Sequence, residues 1–162
     1  FICQINCEDI APFDTENRLP HEGMLYFFGA IDEFIGYETY THNGPGEWPK
    51  GQFVVKYAKS INFETFQSCI LVDDDDQPLT EPELEMEFFS CEDDADCARI
   101  LGIPTNADVM NIYPDHVTLL HLVDNPEISL SFAGSACLDT LMKASDLKFQ
   151  NWKKTKTHLS HN

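Results

Sequence analysis

Residues 23–29 read Gly-Met-Leu-Tyr-Phe-Phe-Gly, a run that is apolar at both alternating sets of positions. A strand with one wet face alternates apolar with polar residues, so a run apolar on both sides belongs in the middle of a sheet. Any fold for this chain must therefore supply strands on either side of it. Candidates are not scarce: residues 1–7, 51–58, 117–124 and 135–142 are short apolar runs bounded by Gly, Pro or acidic residues. Residues 84–89, Leu-Glu-Met-Glu-Phe-Phe, alternate apolar and acidic residues as a half-exposed strand does. Residues 36–51, with four Gly and two Pro, and residues 73–83, acidic and twice broken by Pro, read as connections. One helix is signalled, from a Ser90 cap through acidic residues 92–96, with Cys97, Ile100 and Leu101 as its buried stripe and Gly102 as its stop. Residues 144–151, Ala-Ser-Asp-Leu-Lys-Phe-Gln-Asn, predict a short helical turn, and the alternation in Lys154-Thr-Lys-Thr-His-Leu159 favours a closing strand over a free basic tail. These expectations describe an α+β fold with mainly antiparallel sheet and few short helices.

The 162 residues (18.5 kDa) fit one domain spanning 1–162. Phe-Ile-Cys-Gln-Ile-Asn-Cys at the start reads as a strand entered halfway, which predicts that an N-terminal segment of the parent protein is missing. Acidic residues outnumber Lys and Arg by 28 to 10, for a net charge of −18. Phosphate backbones and anionic membrane surfaces are bound through Lys and Arg, so this balance argues against both. No apolar run approaches the roughly 18 residues that suggest a membrane-spanning helix. The six cysteines show no disulfide-framework spacing, which predicts reduced thiols and a cytoplasmic protein. The charge is uneven along the chain: residues 1–140 carry −22 and residues 141–162 carry +4.

Residues 23–33 align with residues 136–146, and each segment follows a strand with a central polar residue, Cys-Gln4-Ile-Asn in one case and Leu-His121-Leu-Val in the other. Two related strand–loop–strand halves would explain this echo, and so would chance similarity between apolar strands. The ordered blocks FICQINCEDIAPFD, LPHEGMLYFFGAIDEF, ARILGIP, LLHLVD and ACLDTLMKASDLKFQNW resemble those of the YwqG-like family, a bacterial family without an established activity. His121 stands where that family usually has Gln, and Gly134-Ser-Ala136 lacks its final glycine. The resemblance implies an α+β fold with related halves and brings no catalytic residues with it.

Motifs for chemistry are sparse. Cys3 and Cys7, Cys91 and Cys97, and His158 and His161 lack the spacing of a zinc site, and no metal or cofactor is expected. Counted from Asp73, an EF-hand would need Gly and Glu where Pro78 and Leu84 stand, so Asp73, Asp74, Asp75 and Asp76 read as a solvated acidic loop. Glu83, Glu85 and Glu87 would line one strand face, more the signature of a wet surface than of an acid–base pair across a cleft. No nucleophile elbow or phosphate-binding glycine loop occurs. His121, inside an apolar strand, reads as a hydrogen-bonded core residue before it reads as a base.

The leading expectation is a non-enzymatic, immunity-like module that binds a basic protein. Asp73–Asp76, Glu83, Glu85 and Glu87 would supply charge, with Tyr40 and Trp48 as aromatic anchors. The alternative is a small-ligand binder or enzyme with a pocket between the halves, involving Gln4 and His121. A cleft gathering His121 with the glutamates would favour the alternative. Outward-facing glutamates and a packed His121 would favour the first.

Overall fold

In a computed structural model, residues 1–30, 44–60, 72–78, 84–91, 97–125, 130 and 136–161 are described. Strand β1 (Cys3–Asn6) leads directly into a one-turn helix α1 (Cys7–Ile10). The Asn6 side chain accepts the Glu8 N–H at 3.2 Å, and Glu8 and Asp9 sit at the positive end of that turn. Strand β2 (Met24–Gly29) pairs antiparallel with β1 on one side and with β4 (Phe53–Ala58) on the other. The Gly23–Gly29 run thus lies in the middle of a sheet, as its composition requires. Leu25 and Phe27 point into the core, while Phe28 remains exposed beside Phe1 and under Lys56.

The second sheet has five strands in the order β3-β8-β7-β6-β5. They are β3 (Gly46–Glu47), β5 (Arg99–Gly102), β6 (His116–Val123), β7 (Ala136–Lys143) and β8 (Lys156–His161), and every neighbouring pair is antiparallel. Three further turns of helix connect them: α2 (Ala107–Ile112), α3 (Ala144–Lys148) and a 3-10 turn at Trp152–Lys154. The fold is α+β with mostly antiparallel sheet and short helices.

Strand β7 is buried at every position except Lys143. Its Leu138 and Met142 join Leu120, Leu122 and Leu159 of the neighbouring strands in one apolar cluster. Ile5, Leu25, Phe27 and Val55 of the three-stranded sheet belong to the same cluster, so the two sheets share a core. The opposite face of β7 carries Cys137, Asp139 and Leu141. Leu141 packs there with Val109 of α2 and with Tyr113.

Three expectations need correction. The helix predicted through residue 102 gives way to strand β5, because Arg99, Ile100 and Gly102 find ladder partners on β6. Long-range pairing here outweighs the local capping signal; residues 92–96 lie outside those described. Residues 84–89 form no strand, since no neighbour pairs with them among the described residues. The loop expected over 36–51 contains β3, and its part over 36–43 lies outside the described residues. The basic segment is β8, paired on both sides, and not a free tail.

Gly23 holds the entry to β2. Its φ is +82°, and a Cβ there would lie 2.4 Å from the Ala58 carbonyl oxygen. Both the backbone conformation and the close approach demand glycine. Gly23→Ala is therefore expected to lower unfolding free energy by about 1–3 kcal/mol. Urea denaturation measures this, and a change indistinguishable from zero would refute the argument.

Candidate functional site

The outer face of the five-stranded sheet carries an unusual row. Arg99 on β5 lies opposite His121 on β6, His121 opposite Asp139 on β7, Asp139 opposite His158 on β8, and His158 opposite Glu47 on β3. Directly opposite residues share a face, so one transverse line of ionisable side chains crosses all five strands. Four of the five are buried: Arg99 is 8% exposed, His121 2%, Asp139 0% and His158 9%. Charged groups in such positions carry a large desolvation cost unless paired.

The pairing is strongest at the centre. His121 Nδ1 lies 2.9 Å from Asp139 Oδ1, which orients the ring and holds β6 to β7 by a side-chain bond as well as by the ladder. At one end of the row, Glu47 accepts hydrogen bonds from Lys156 Nζ at 2.7 Å and from the Tyr113 hydroxyl at 2.8 Å. These bonds hold the Glu47 carboxyl below its usual range, against a smaller desolvation effect. Burial, together with the Glu47 carboxylate, pushes the Tyr113 phenol up. The Tyr113 ring meets His116 and His158 edge-on at 5.3 and 5.7 Å. Burial lowers the pKa of both histidines; it outweighs the opposing pull of Asp139 and Glu47 on His158.

At the other end Arg99 contrasts with this. Among the described residues its Nε, Nη1 and Nη2 are buried without a hydrogen-bond partner, as are Asp139 Oδ2, His158 Nδ1 and Thr118 Oγ1. Cys137, two positions before Asp139 on the same face, places its Sγ 3.1 Å from Ser160 Oγ. Burial raises the Cys137 pKa, and the Ser160 hydrogen bond and, more weakly, the Arg99 charge partly oppose that rise. A protonated, 1% exposed thiol is a poor nucleophile. With exposures of 2% or less, His121, Asp139 and Cys137 offer no reacting atom to an external substrate.

The sequence-derived candidates scatter. His121 is the packed, hydrogen-bonded core histidine that its apolar strand suggests. Gln4 is exposed on β1, in the other sheet, opposite Tyr26. Trp48 does not present its ring to a partner. It is 4% exposed, donates Nε1–H to the Gly44 carbonyl at 3.1 Å and packs in the core, because β3 ties its segment to β8. Asp73–Asp76 form a tight exposed turn in which Asp73 Oδ1 accepts the N–H groups of Asp75 and Gln77 at 2.9 and 2.8 Å. Glu85 and Glu87 are exposed, with Leu84, Met86 and Phe89 exposed between and beside them. Tyr40 and Glu83 lie outside the described residues.

Arg99, Asp139, His158 and Glu47 escaped sequence reasoning because their relation is register. The available signal was a polar residue at the centre of each of several apolar runs.

The site and the fold thus define an antiparallel α+β protein whose second sheet is crossed by a buried polar row. The chain belongs to the family described as Domain of unknown function (DUF1963), whose model matches residues 1–159. No curated protein matches the chain.

Two outcomes follow from the row. Asp139→Ala, which leaves His121 without its carboxylate, is expected to cost about 3–5 kcal/mol in chemical denaturation. For His116 and His158 the folded pKa lies below the ordinary 6.5, so the unfolded chain binds more protons as pH falls. Their contribution is complete above pH 6.5 and is lost as pH falls through the lowered values. The His116→Gln/His158→Gln double variant should therefore show a flatter fall in Tm below pH 6.5 than the parent chain.

Proposed function

We propose that the chain is a non-enzymatic module that binds a basic protein partner through residues 72–78 and 84–89. The observation carrying this reading is the surface of residues 84–89. Leu84 (64% exposed), Met86 (44%) and Phe89 (70%) stand beside exposed Glu85 and Glu87, in a segment that no strand pairs among the described residues. Interleaved apolar and acidic side chains offer a partner both contact area and charge. Elsewhere, four of the ten bases pair with acids among the described residues: Arg18 with Glu16, Lys59 with Glu22, Lys154 with Asp146 and Lys156 with Glu47. Among the described residues, no Lys or Arg pairs with Asp73–Asp76, Glu85 or Glu87. A body carrying −22 over residues 1–140 would steer a cationic partner towards that uncompensated surface.

Such a module fits an immunity-like role in the cytoplasm of a bacterium, and the YwqG-like resemblance is the finer family assignment that accompanies it. No helix among the described residues is long and apolar enough to cross a membrane. The pocket alternative has less support, since His121 is engaged by Asp139 while Glu85 and Glu87 face outward. The related-halves idea retains one observation in its favour. The aligned residues Gln4 with Tyr26, and His121 with Asp139, are direct cross-strand partners in their respective sheets.

The test is capture of partners on the full chain at low and high salt, followed by affinity measurement with the recovered protein. Asp74→Lys/Asp75→Lys/Glu85→Lys/Glu87→Lys should slow association by roughly tenfold or more. Leu84→Ser/Phe89→Ser should speed dissociation. Unchanged binding by both variants, or no basic protein recovered, would overturn the proposal.

A further inference from the structure

We propose that His121, Cys137 and Asp139 form a buried binding site for one divalent transition-metal ion of the zinc class. The three residues come from adjacent strands β6 and β7 and face the same side. They offer nitrogen, sulfur and oxygen, the donor types zinc takes from proteins. Their ligand atoms all lie within 4.8 Å of one another, and all three residues are buried. Around one tetrahedral ion with bonds of about 2.0–2.3 Å, donors stand roughly 3.3–3.8 Å apart. The 2.9 Å His121–Asp139 contact would open slightly while the thiol closes in. A triangle of this size suits an ion and leaves no room for an organic molecule.

A second observation points to a ligand. Asp139 Oδ2 is buried in a residue of 0% exposure and has no hydrogen-bond partner among the described residues. A bare carboxylate oxygen in such surroundings is costly, and a bound cation would satisfy it. Cys137 loses its proton to solvent as the sulfur–metal bond forms, and His121 binds through Nδ1 with its proton carried on Nε2. One proton is released per ion. The carboxylate and the thiolate then balance the dication. Arg99 stays outside the ligand set, where its charge favours the thiolate, and Ser160 Oγ, 3.1 Å from Sγ, can donate to it.

Cobalt(II) and zinc(II) titrations of the chelator-treated full chain test the assignment. The expected result is one cobalt per chain, a thiolate-to-cobalt absorption band, one proton released and a rise in Tm with zinc. Cys137→Ser, which conserves shape and should remain folded by circular dichroism, must lose the band, and His121→Gln should weaken binding at least tenfold. Absence of the band, or its persistence in Cys137→Ser, would overturn the site. Equal metal uptake by the parent chain and the variants would overturn it too, by assigning the metal to the acidic surface.

Discussion

The hydrogen-bonded pair of His121 and Asp139 sits where the structure has least freedom. Both side chains are buried, on the adjacent interior strands β6 and β7 of the five-stranded sheet, and each has a further ionisable residue opposite it. Slipping β7 by one residue against β6 would turn Asp139 into the apolar cluster and bring Leu138 or Thr140 against the polar row. The apolar pattern alone does not penalise that slip fully, because β7 is buried on both faces. A buried charge does. The pair therefore acts as a register key for the sheet, at the expense of some stability that an all-apolar strand would retain.

From this key the polar face is built outward in two unlike directions. Towards β3, the acids and bases close into a network with Tyr113 at its centre: Glu47, Lys156, His116 and His158 all meet the tyrosine ring or hydroxyl. Helix α2 is held over this region by its Asn106 cap, whose side chain also donates to the His161 carbonyl at 3.3 Å. Towards β5 the row ends in the Arg99 guanidinium, whose nitrogens have no hydrogen-bond partner among the described residues.

Much of the sheet was legible in the sequence. The runs at 23–29 and 51–58 contain β2 and β4, and those at 117–124 and 135–142 match β6 and β7 to within one residue at each end, because short apolar segments between breakers leave few alternatives. The capping pattern at Ser90 misled because it is local, whereas Arg99–Gly102 is decided by β6. Helices α1 and α2 were not predicted; each is a brief turn behind an Asn cap and lacks the length for a periodic stripe. At the site, His121 could be read as a core residue from its apolar flanks. Its partner could not, since Asp139 is separated from it by 18 residues and only register brings them together. Trp48 illustrates the reverse difficulty: a Gly- and Pro-rich setting suggests exposure, and a two-residue strand buries it.

The placement of β8 between β7 and β3 has a kinetic consequence. Glu47 and His158 are separated by 111 positions yet are direct partners, so the contact closes one of the longest loops the chain can form. Until residues 156–161 have emerged, β7 presents an open edge next to the buried pair, and the Trp48 N–H lacks the Thr157 carbonyl that receives it at 2.8 Å. Non-local pairings of this kind slow folding. During synthesis the five-stranded sheet must therefore wait for its late-arriving strand, and the half-built face is the stretch most exposed to mispairing with another chain.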